Sequence, residues 1–119
     1  MAEVQTLFVT KLYRARVEGL SKDELLCACK AIAAGDAAGQ RWSKDKGYRG
    51  YTSYASLNDL PKRDPTIAAL KQALDKHAAV FANALHLEFA GRKPKLDSLW
   101  INVLDPGVRT RGTSIRIRC

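Results

Sequence analysis

Apolar positions recur along this chain with two different periods, and the switches between them mark its elements. Residues 4–17, VQTLFVTKLYRARV, are rich in β-branched and aromatic side chains and read as a strand. SKDELL then opens a helix. Ser21 stands at the N-cap and Glu24 three residues on, the spacing of a capping box. Leu25, Cys29, Ile32 and Ala33 make the apolar stripe of that helix, and Gly35 is its natural stop. Residues 39–63 show no helical period. Their tyrosines, glycines and hydroxyls predict an extended, loop-rich segment with short strand pairings. Asp64 and Pro65 then start a second helix, with Ile67, Leu70, Leu74, Ala78, Phe81 and Leu85 along one face, and Gly91 and Pro94 are expected to end it. Residues 96–104 are the strongest strand. Leu99, Ile101 and Val103 face one way, and Trp100, Asn102 and Leu104 the other.

The order strand, helix, loop, helix, strand predicts an α+β fold, with two amphipathic helices packed on an incomplete sheet. The strand at Trp100–Leu104 calls for neighbours on both sides, yet nothing after it reads as a paired strand. At 119 residues with 46% apolar content, the chain has room for one domain with a core. No apolar run approaches membrane-spanning length, and Glu3 sits where a signal peptide would carry positive charge, so the expected location is cytoplasmic, with no membrane partner.

The formal net charge of +8 raises the question of nucleic acid. Its distribution answers against it. Residues 108–119 hold Arg109, Arg111, Arg116 and Arg118 and no acid, so half of the excess belongs to this tail.

Little in the chain announces chemistry. No P-loop, dinucleotide-binding glycine pattern or zinc spacing is present. His77 and His86 are separated by a helical rotation of about 900°, half a turn out of phase, which reads as one packed and one solvated histidine. Cys27 and Cys29 point to nearly opposite sides of their helix and cannot share a metal. Tyr48, Tyr51 and Tyr54, spaced by threes, either line a pocket or anchor a loop by burying a ring under a wet hydroxyl. Asn102, a polar residue in a central strand, needs a partner or a ligand.

Three stretches carry a resemblance. LFVTKLYRARV near the start, GYTSYASLNDL at 50–60 in the stretch that begins at Gly47, and LWINVLDPG at 99–107 resemble the 2-oxoglutarate/Fe(II)-dependent oxygenases of bacteria and phages, in order and spacing, across about residues 4–107. The resemblance implies the N-terminal portion of a double-stranded β-helix, or jelly roll. In intact relatives Fe(II) and 2-oxoglutarate are the expected cofactors. It further implies that Trp100 and Asn102 face the cofactor pocket and that Tyr51 and Tyr54 are substrate-binding candidates. After the glycine turn, here Asp105-Pro106-Gly107, the family pattern continues into a stretch resembling H-S-G-H-I-H-P-H-S-V. This chain has no histidine there, so no metal ligand and no catalytic residue is assigned.

The genetic code supplies an explanation. If each codon is read from its third base onward, RGTSIRIRC (Arg111 to Cys119) is compatible, slot by slot, with G-H-I-H-P-H-S-V, assuming CGN arginine and TCN serine codons. Residues 1–107 are therefore expected to be the N-terminal part of one oxygenase-like domain, and residues 108–119 a non-native, frameshift-derived basic tail. The expected function is that of a truncated oxygenase, inactive alone. The alternative is a small basic module whose tail arginines contact nucleic acid or a protein partner. A strand left without neighbours at Leu99 to Leu104 adds self-association to the expected partners.

Overall fold

The computed structural model describes residues 2–87 and 90–107. Four helices and two short strands follow in the order α1 (Lys22–Gly35), α2 (Ala37–Asp45), β1 (Gly50–Thr52), α3 (Leu60–Arg63), α4 (Pro65–Ala84) and β2 (Asn102–Leu104). This is an α+β arrangement, with β1 and β2 paired antiparallel and Tyr51 opposite Val103.

The capping signals act where the sequence places them. Ser21 accepts the Glu24 N–H at 3.3 Å to open α1. Asp64 accepts the N–H groups of both Thr66 and Ile67 to open α4, with Pro65 in the first turn, where no intrahelical donor is needed. The α1 stripe of Leu25, Cys29, Ile32 and Ala33 packs on a core of Ala28, Tyr51, Leu60, Ile67 and Ile101. Val103 joins it from the second strand and Leu99 from the chain just before, so the alternation along residues 99–103 holds, with Trp100 and Asn102 outside. Among the described residues, no helix is long and apolar enough to cross a membrane.

Three expectations change. Residues 4–17 adopt no regular strand, and Val4, Leu7, Phe8, Val9 and Leu12 are exposed, Phe8 at 96%. β-propensity reports fitness for a pleated surface, and among the described residues this segment has no sheet partner to supply one. Residues 39–63 are not mainly extended: most of α2 and all of α3 fall there. The α2 helix rests on a cap, since Asp36 accepts the Gly39 N–H at 3.0 Å, and on tertiary contacts that a nine-residue window without an apolar period does not display. The last strand is confined to Asn102–Leu104, because β1 offers only three residues to pair with it. The tail at residues 108–119, with its four arginines, lies outside the described residues.

Helix α4 ends at Ala84, before Gly91 and Pro94. Leu87 N–H reaches Ala82 O at 3.1 Å and His86 N–H reaches Asn83 O at 3.0 Å, the paired bonds of a Schellman cap. Helix α2 closes in the same way, with Tyr48 N–H on Ser43 O and Gly47 N–H on Lys44 O. The left-handed residue is Gly47 in α2 (φ 67°) but His86 in α4 (φ 56°), where a Cβ meets steric resistance. His86→Gly is therefore expected to stabilise the protein by about 0.5–1 kcal/mol, seen as a higher urea midpoint, while His86→Ala gives no gain. A midpoint lowered by the glycine would show that the imidazole contributes contacts that outweigh the strain.

Candidate functional site

The tyrosine-rich segment and the WIN strand meet at a set of buried polar contacts, and small hydroxyls make most of them. Ser53 N–H donates to Ile101 O at 3.0 Å, and Ile101 N–H donates back to Ser53 Oγ at 2.9 Å. On the other edge of β1, Thr52 N–H donates to Ser43 Oγ at 3.0 Å, whose own hydroxyl donates to Gly39 O at 2.7 Å. Both serines are fully buried, and each hydroxyl stands in for a main-chain acceptor that the short strands lack.

Asp36, between α1 and α2, gathers the remaining contacts. Its carboxylate accepts Gly39 N–H at 3.0 Å, Tyr51 OH at 2.7 Å and Ser56 OH at 2.5 Å. Burial pushes this carboxyl up, but the bonds from Ser56, Tyr51 and Gly39, with the charge of Arg63, prevail and hold it below the ordinary range. Burial, and next the hydrogen bond and charge of Asp36, push the Tyr51 phenol far up, so it remains a proton donor. Position 39 must be glycine, because a Cβ would collide with the Asp36 carboxylate, the Ser56 hydroxyl and the Tyr51 ring. A carboxylate so enclosed holds parts of the chain together and has no open face for a substrate.

The four candidate residues separate into two environments. Tyr51, 6% exposed, is a core anchor. Tyr54 and Trp100, 67% and 47% exposed, meet edge to face outside, with ring centroids 5.5 Å apart. Asn102 is exposed on the same face of the second strand. Beside Tyr54 lies a shallow polar recess of about 280 Å³ bordered by Ser56 and Asn58. An aromatic pair, an amide and an open recess suit contact with a polar group. Tyr48 is half-buried and stands apart from that pair.

The second strand also keeps one edge open. Its bonds to the first run through odd-numbered residues, as Ser53 N–H to Ile101 O and Asp105 N–H to Arg49 O show. By antiparallel alternation the main-chain groups of Trp100, Asn102 and Leu104 point away, and none finds a hydrogen-bond partner among the described residues.

His77 accepts or donates a 2.6 Å hydrogen bond at Nδ1 with Tyr13 OH, and the Tyr13 ring stacks on Phe81. His86 serves the α4 cap. Cys29 is a half-buried thiol pushed up by burial and then by the charge of Asp64, which leaves it a poor nucleophile. Among the described residues, no three His, Cys, Asp or Glu side chains cluster to hold a metal.

The chain matches no protein-family model and no curated protein sequence. Sequence reasoning missed Asp36, Ser43 and Ser53. Only Asp36 left a signal, since an Asp three residues before a glycine, after a helix-stopping glycine, is a cap pattern.

The lowered Asp36 carboxyl gives acid lability a direction. A group whose folded pKa lies below its unfolded value contributes fully above the unfolded value, roughly 4, and loses that contribution as pH falls through the folded one. The urea midpoint is expected to fall between about pH 5 and pH 3, and Asp36→Asn to flatten that slope while costing about 1–3 kcal/mol at neutral pH. An unchanged slope would assign the effect to Asp59 and Asp75, which Arg63 and Lys71 also hold low.

Proposed function

We propose that residues 4–107 form the N-terminal part of a 2-oxoglutarate/Fe(II)-dependent oxygenase domain, a double-stranded β-helix whose iron ligands and remaining strands this segment does not contain. The observation that carries the reading is the pairing of two of the three resembling stretches. The tyrosine-rich segment supplies β1, the WIN stretch supplies β2, and their register is clamped by buried serines. The open edge of β2 is what a sheet with further strands requires. In this reading Trp100 and Asn102 lie on the cofactor-facing strand, and Tyr54 beside Trp100 belongs to the substrate side. Tyr51 supports that wall through Asp36.

The described residues do not fit an iron centre. His77 is committed to Tyr13, His86 to a helix end, and no third ligand stands near either. The segment alone is therefore expected to oxidise nothing, and the codon-phase reading of Arg111 to Cys119 accounts for where the histidines went. Titration of the chain with Fe(II) or Mn(II) in the presence of 2-oxoglutarate should give no stoichiometric submicromolar site. A chain continued in the alternative phase after Gly107 should gain one. A tight site in the present chain, or none in a folded, continued one, overturns the proposal.

The same open edge would make the chain associate with itself through Trp100, Asn102 and Leu104. A net charge of +8 opposes this, so light scattering should rise with salt as repulsion is screened. Asn102→Pro, which removes an outward N–H without entering the core, should suppress the rise. Ile101 is unsuitable for this purpose because it is buried. Contacts of the tail arginines with phosphate would weaken with salt instead.

A further inference from the structure

A second concave surface lies on the far side of α4. Ala69, Ala73 and Val80 lie along one helix face and form an apolar floor about 16 Å long, with the exposed Lys76 between the last two adding a charge. The chain before α1 makes one wall, with Tyr13 and Arg16, and the returning chain makes the other, with Lys93 and Lys95. Both walls are pinned to the helix. Tyr13 is bonded to His77 and stacked on Phe81, and Leu96 N–H donates to Asp75 Oδ1 at 2.6 Å. The groove encloses about 1160 Å³, above the usual range of roughly 300–1,000 Å³ for small-molecule sites.

Its charge is one-sided. Arg16, Lys76, Lys93 and Lys95 line it, and none of them forms an ion pair among the described residues. Of its two carboxylates, Glu18 and Asp75, the latter is already bridged to Lys71 at 2.6 Å. We propose that this groove docks an acidic amphipathic helix of a partner protein. A helix satisfies its own main chain, so it can lie on an apolar floor, and small residues there allow the close approach of two helix axes, about 8–10 Å. The cationic rim then meets the partner's carboxylates. Nucleic acid fits less well, because both rings that line the groove are already engaged, Tyr13 stacked on Phe81 and His77 bonded to the Tyr13 hydroxyl. A second copy fits less well too, since α1 carries acids only in its first turn and α4 has Asp75 alone. The proposal is independent of the oxygenase reading.

The test uses fluorescence anisotropy with a labelled helical peptide of about 15 residues, leucine along one face and glutamate on both flanks. A lysine-flanked version and a single-stranded oligonucleotide serve as further probes. The glutamate peptide is expected to bind, and Lys93→Glu with Lys95→Glu to weaken it at least about tenfold. Both lysines are exposed, so the melting temperature should not move. Lys22→Glu with Lys44→Glu changes the net charge equally but lies outside the groove, and should have little effect. The proposal fails if the glutamate peptide does not bind, if both double variants act alike, or if the lysine peptide binds equally well. It also fails if the oligonucleotide binds more tightly and loses affinity with Lys93 and Lys95, which would make the groove a phosphate surface.

Discussion

One enclosed carboxylate organises this small structure. Asp36 caps α2 through Gly39, fixes β1 through the Tyr51 phenol, and fixes the following turn through Ser56. A two-stranded ribbon of three-residue strands is too short to persist on its own in water. It persists here because its first strand is tied to a helix pair on one side and to Ile101 through Ser53 on the other. The cost of burying the carboxylate is offset by three donors, with Arg63 adding its charge from outside.

The parts of the fold legible in the sequence were those encoded locally. Ser21, Asp64 and Pro65 are side chains whose effect reaches only two or three residues, and both helices begin where they point. The alternation from Leu99 to Val103 likewise needs nothing beyond its own residues to separate the two faces. What escaped was encoded across distance. No window around residues 4–17 reveals that their apolar side chains lack a sheet, and no window around Ser43 or Ser53 reveals which main-chain groups those hydroxyls will meet. The candidate site divides by the same rule. Alternation put Trp100 and Asn102 on a shared face without telling that this face is the exposed one, whereas the parting of Tyr51 from Tyr54 depends on Asp36 and could not be read from a spacing of three.

The two concave surfaces differ in what holds them. The Tyr54–Trp100 face stands over the buried polar set, so its geometry is inherited from the best-packed part of the molecule. The α4 groove is framed by segments without regular structure, each fastened by contacts to that helix at Tyr13 or Leu96. A rigid floor with walls pinned only locally can adjust its width to an occupant.

The clamp between Ser53 and Ile101 joins residues 48 apart in the chain. Closing a loop of that length carries an entropic cost that only a later set of contacts can return, so non-local pairs of this kind tend to form slowly. About half of the intervening chain is α3 and α4, which can gain their hydrogen bonds locally before the ends meet. The expected order of events follows from this. Helix α4 forms early and shortens the effective loop, and the ribbon closes last, so the aromatic face it carries comes into being only in the final step of folding.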